Sequence, residues 1–134
     1  MPVLPSQHFT VAEFADPVTN TFEFEHGFID HLELLRSACG FPFIVTSGCR
    51  SSEHLAYLKS RGYPASENSF HLMDNKKYGT KTCAVDIKRP SSSNLHKLLM
   101  HATKYGWTVG IAKTFIHLDL RSKYTDKKAI IYSY

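Results

Sequence analysis

Apolar residues at Phe28, Ile29, Leu32, Leu35 and Ala38 recur at helical spacing until Gly40 and Pro42 interrupt them, which predicts a helix with a glycine stop. The short apolar run Phe43-Ile44-Val45-Thr46 then predicts a buried strand that ends at Ser47-Gly48. A second helix is expected over residues 52–61, closed by Gly62. Ser91, Ser92 and Ser93 offer caps for a third, in which Leu95, Leu98, Leu99, Ala102 and Tyr105 share one face before Gly106. Such a stripe has to cover a sheet. Strand-like runs at residues 83–88, 107–111, 114–121 and 129–132 supply one, with Gly110 and Asp126 placed near turns. The expected architecture is α+β: a small, mainly antiparallel sheet flanked by about three helices, in one domain over residues 1–134.

Strand alternation sorts the polar residues of these runs. It sends His117, Asp119 and Arg121 to one face and Ile116, Leu118 and Leu120 to the other. In the earlier run it separates Ala84, Asp86 and Lys88 from Cys83, Val85 and Ile87. A carboxylate on so small-sided a face needs a cation or a hydrogen-bond network to offset its burial. With His71 from Ser-Phe-His, the residues Asp86 and His117 make a two-histidine, one-carboxylate metal site, which leaves a tetrahedral zinc one open position. Other histidine pairs fail on geometry. His26 with His31, and His96 with His101, lie five positions apart, roughly 140° around a helix. His8 and His54 lack companions and are read as surface residues. The run His117-Leu118-Asp119 also begins like the facial triad of non-haem iron oxygenases, but no histidine follows Asp119.

Composition narrows the classes. A chain of 134 residues is long enough for one real core, and no apolar run is long enough to cross a bilayer. Cys39, Cys49 and Cys83 form no close pair and no zinc-finger spacing, so reduced and partly buried thiols are expected. The net charge of +4 suits an anionic polymer such as a nucleic acid or a bacterial cell wall. Tyr57, Tyr63 and Tyr78 add aromatics, but no nucleic-acid motif accompanies them, and no nucleic-acid partner is expected. The start lacks the basic opening and apolar stretch of a secretory signal, so cytoplasmic synthesis is expected.

Four segments together resemble a known family. They are Val45-Thr46-Ser47-Gly48-Cys49-Arg50-Ser51-Ser52-Glu53-His54, Ser69-Phe70-His71, Ala84-Val85-Asp86-Ile87 and His117-Leu118-Asp119-Leu120-Arg121. The chain from about Phe28 to Arg121 resembles the zinc D-alanyl-D-alanine carboxypeptidases, a group that includes phage endolysin L-alanyl-D-glutamate peptidases and shares its fold with the hedgehog signalling domain. The resemblance implies that His71, Asp86 and His117 hold one zinc per chain. It implies that Arg50 steers the substrate and polarises the scissile carbonyl, and that Ser69 lies beside the substrate or serves only its turn.

The chain departs from the family pattern twice. Residues 74–82 lengthen the interval between His71 and Asp86, as an inserted loop that overhangs the cleft or decorates the surface. Many members carry an acid three positions before the last histidine, where this chain has Thr114. Asp119 is then the candidate general base, with orientation of an imidazole as its other role and Asp74 as an outside candidate. The implied function is a monomeric zinc metallopeptidase acting on the peptide stem of peptidoglycan, as a carboxypeptidase or as an endopeptidase of phage or viral lysis. The other reading is a zinc-containing cell-wall or protein binding domain without catalysis.

Overall fold

Residues 7–134 are described by a computed structural model of the chain, and the opening residues used in judging a secretory signal lie mostly outside them. Their order is α1 (Val11–Phe14), α2 (Phe28–Cys39), β1 (Val45–Ser47), α3 (Ser52–Ser60), β2 (Ala84–Lys88), α4 (Ser92–Lys104), β3 (Thr108–Ile111), β4 (Phe115–Asp119), α5 (Arg121–Tyr124) and β5 (Ile131–Ser133). The fold is mixed α+β around one open sheet. No helix among the described residues is long and apolar enough to cross a membrane.

The helices form where periodicity and caps agree. Ser51 and Ser91 accept hydrogen bonds at the starts of α3 and α4, from the backbone N–H groups of His54 (3.0 Å) and Asn94 (3.2 Å). Gly40 closes α2 in the left-handed conformation at φ 74°. Along α2 the inward stripe is Phe28, Ile29, Leu32, Leu35 and Cys39, so Cys39 rather than Ala38 completes it. Along α4, Leu98 and Ala102 are fully buried, whereas Tyr105 caps the helix and is exposed rather than sharing the inward face.

The strands lie in the order β1-β2-β4-β3-β5. All neighbours are antiparallel except β3 and β5, which run parallel, so the sheet is mainly antiparallel. Val85, Ile87, Val109, Ile116 and Leu118 point to one face, where they join Phe28, Leu32, Leu35, Leu98 and Trp107 in the core. The helices α2 and α4 pack together there.

Other expectations are also corrected. The strand predicted from residue 43 shrinks to an edge strand, β1, with Ile44 58% exposed; only Phe43 of the preceding pair reaches the core. Gly110 lies inside β3, not at a turn. The last long run ends at Asp119, and Arg121 opens the short helix α5. His54 is no simple surface histidine, because its Nδ1 lies 3.0 Å from the buried carboxylate of Asp16, which also accepts from Ser51 and Thr19. His8 pairs with Glu33. The three cysteines are free and buried, and burial pushes the thiol of Cys39 up to about 11 and that of Cys83 up to about 12.

Candidate metal centre

Pairing of β2 with β4 sets Asp86 directly opposite His117, so the alternation of two separate strands converges on one point of one face. His71 arrives from a loop, and the backbone holds it there. Its carbonyl accepts from the N–H of Arg50 (2.9 Å) and from the hydroxyl of Thr82 (2.8 Å), and its own N–H donates to the Ser69 hydroxyl (3.2 Å). One nitrogen from each of His71 and His117 and one oxygen of Asp86 all lie within 4.8 Å of one another. The three residues form a buried cluster able to hold a metal ion.

The hydrogen bonds assign the ring nitrogens. His71 Nδ1 lies 2.8 Å from the carbonyl oxygen of Gly48, which can only accept, so Nδ1 carries the proton and Nε2 presents a lone pair. His117 Nε2 lies 2.7 Å from Asp119 Oδ2, so this ring presents Nδ1. The two free nitrogens sit 3.1 Å and 2.9 Å from the same oxygen of Asp86. Three acceptors that face one another require positive charge between them. This donor arrangement fits a metal ion, with Gly48 and Asp119 orienting the histidines from behind.

Electrostatics agree with that geometry. Burial works against the charged imidazole of His117, but hydrogen bonds to Asp119 and Asp86 outweigh it and push its pKa up to about 9. Burial would raise Asp86, yet the adjacent His71 and His117 hold it far below the usual carboxylate range. Asp119 is fully buried and likewise held low, against its burial, by hydrogen bonds from His117 and Arg121. The Arg121 guanidinium grips it from the far side, with Nη2 2.8 Å from Oδ2 and Nε 3.0 Å from Oδ1.

The cluster opens on a cleft of about 650 Å³. Arg50 lines it, and its buried Nε meets no hydrogen-bond partner among the described residues. Burial lowers the Arg50 pKa, with Asp86 and Asp16 opposing the shift. Ser69 also lines the cleft, and its hydroxyl accepts from the His71 N–H at 3.2 Å. Among the described lining residues Asp86 is the one carboxylate; Asp119 lies behind His117, and Asp74 does not reach the cleft wall.

The loop of residues 74–82 also stands outside the lining and braces it from behind. Buried Asn75 donates through Nδ2 to the carbonyls of Asn68 (3.0 Å) and Ser69 (3.1 Å), and Tyr78 stacks on Phe70 at 5.1 Å between ring centroids. Sequence reasoning passed over Phe115, Tyr132 and Tyr134, which wall the cleft on the β5 side. Their signal was the alternation of Tyr132 and Tyr134, which puts both rings on one side of a strand. Comparison of the chain with protein-family models, with curated proteins and with solved structures gives no match.

Proposed function

We propose that the chain is a zinc-dependent peptidase that hydrolyses amide bonds in the stem peptides of peptidoglycan, a class spanning D,D-carboxypeptidases and endopeptidases such as phage endolysins. One observation carries it: three nitrogen and oxygen ligands of the type zinc prefers face an open cleft that Arg50 also lines, its buried Nε without a hydrogen-bond partner among the described residues. When bound, zinc supplies Lewis acidity, acidifying water and polarising a carbonyl oxygen.

The chain's own residues do the rest. His71, Asp86 and His117 hold the ion, one per chain. Asp119 keeps the proton of His117 on Nε2, so that Nδ1 faces the ion. Arg50 offers donors to a substrate carbonyl or carboxylate, and Ser69 stands beside the entering peptide. Metal analysis and digestion of purified cell wall, with released fragments read by mass spectrometry, test the proposal together. The expected result is one zinc per chain and stem-peptide fragments, both lost in His71→Ala and His117→Ala. Asp119→Asn should retain the fold and weaken zinc binding roughly 10- to 100-fold. Absence of bound metal would remove the basis of the assignment.

A second reading has its own support. Asp86 is the one carboxylate among the described lining residues, and Asp119, the candidate base, stands behind His117 rather than on the cleft wall. That suits a metal-containing binding domain without catalysis, for which the same digestion gives wall binding and no products.

A further inference from the structure

The row of the sheet that carries two of the ligands continues past them. Ser47, Asp86, His117, Gly110 and Tyr132 are successive register partners across β1, β2, β4, β3 and β5. Paired residues share a face, so Tyr132 projects on the side of the metal cluster. Neighbouring strands are about 4.8 Å apart, which puts β5 roughly 10 Å from β4. A side chain from β5 can approach His117 only by passing over β3.

Gly110 is what lets it pass. A Cβ at that position would lie 2.6 Å from Tyr132 Cζ and 2.7 Å from its hydroxyl oxygen, closer than real side-chain contacts come. The phenol therefore occupies the space that any other residue at 110 would fill. The rings of Tyr132 and His117 stand 6.3 Å apart between centroids, and Tyr132 lines the cleft beside the cluster. Its hydroxyl has one hydrogen-bonding neighbour among the described residues, the Tyr134 hydroxyl at 3.5 Å, at the outer limit for such a bond.

We propose that Tyr132 is a catalytic residue whose hydroxyl donates a hydrogen bond to the carbonyl oxygen of the scissile amide as that oxygen gains negative charge, and that Gly110 exists to admit the phenol. The inference rests on the peptidase reading. The phenol keeps its proton throughout, and no bond to it forms or breaks. A neutral donor already in place on a partly buried wall stabilises developing charge without reorganising at the moment of reaction. Arg50 reaches the same cleft from the segment that follows β1, so the carbonyl would sit between donors on opposite sides.

The test uses the zinc-loaded full chain and two probes, purified peptidoglycan and a phosphinate analogue of D-alanyl-D-alanine whose tetrahedral oxygens imitate the charged carbonyl. Tyr132→Phe keeps the ring and removes the donor. It should bind zinc and melt as the parent does, bind the phosphinate at least about tenfold more weakly by calorimetry, and lose about 10²- to 10³-fold in kcat. KM should change by less than about threefold. Gly110→Ala, allowed by the strand backbone, should displace the phenol and reproduce the phosphinate defect. Combining the two should add little to Gly110→Ala alone. A Tyr132→Phe protein that binds phosphinate and turns over like the parent overturns the inference while leaving the peptidase reading intact. A Tyr132→Phe protein that loses zinc or stability assigns the tyrosine to packing and also overturns it. A parent that holds zinc yet neither cleaves wall nor binds phosphinate removes the peptidase reading and this inference with it.

Discussion

Ring nitrogens of His71 and His117 stand 3.1 Å and 2.9 Å from one oxygen of Asp86, a spacing that calls for a metal ion or protons between them. Protons serve when metal is absent. His117 then titrates at about 9 against an ordinary 6.5, so the folded state keeps a proton that the unfolded chain gives up. The stabilisation from that proton is complete below pH 6.5 and disappears as pH rises through about 9. The melting temperature of chelator-stripped protein should therefore fall between those pH values, and saturating zinc should flatten the fall because the ion replaces the proton. A stripped protein whose melting temperature is level across that window would contradict the assignment. At this scale strand parity in the sequence nominated Asp86 and His117, and the neighbouring motif nominated His71. Ring orientation was beyond it, because the choice between Nδ1 and Nε2 depends on which acceptor stands behind each ring. Those acceptors, Gly48 and Asp119, act through contacts made by folding.

Elements written by local rules were legible: α2, α3 and α4 begin and end within a residue or two of the positions that caps and glycines indicate. Elements defined by partners were less so. The β1 strand is short because its pairing with β2 is interrupted by a register shift between Val45 and Ser47, and hydrophobicity alone does not report register. The loop of residues 74–82 illustrates the same limit, since nothing in its polar composition revealed that Asn75 would be buried at 1% exposure. Its side chain bonds two carbonyls of the segment leading into His71 and accepts from the Tyr78 N–H at 3.0 Å. Asn75→Ala leaves these groups without their partner and should cost roughly 1–3 kcal/mol in urea denaturation. It should also weaken zinc binding in a chelator competition, because the turn that presents His71 loosens. Lost stability with unchanged zinc affinity would show that the loop does not support the site.

Across the whole molecule, most of the core lies on the face of the sheet opposite the candidate ligands, with Phe70 and Ala84 as core members on the site side. Trp107, Phe28, Leu32, Leu98, Ile116 and Leu118 are fully buried on the helix side, away from the ligands. Removing metal should therefore leave far-UV circular dichroism and a cooperative thermal transition in place, unlike a zinc finger, which unfolds. Adding zinc should raise the transition in a concentration-dependent way, by about 4 kcal/mol at a thousandfold excess over Kd. A stripped chain that is unfolded would place the metal in the fold rather than on it. The sequence by itself determined where the long helices stop and that Asp86 and His117 stand on strand faces opposite apolar residues, because periodicity and capping act over a few neighbouring residues; the same local rules misplaced Ala38, Tyr105 and Arg121. The tertiary structure alone decided that β4 lies between β2 and β3, which sets Asp86 against His117 and lets Tyr132 cross Gly110. Strand order and register emerge from the joint burial and hydrogen bonding of segments far apart in the chain, and no local pattern carries that information.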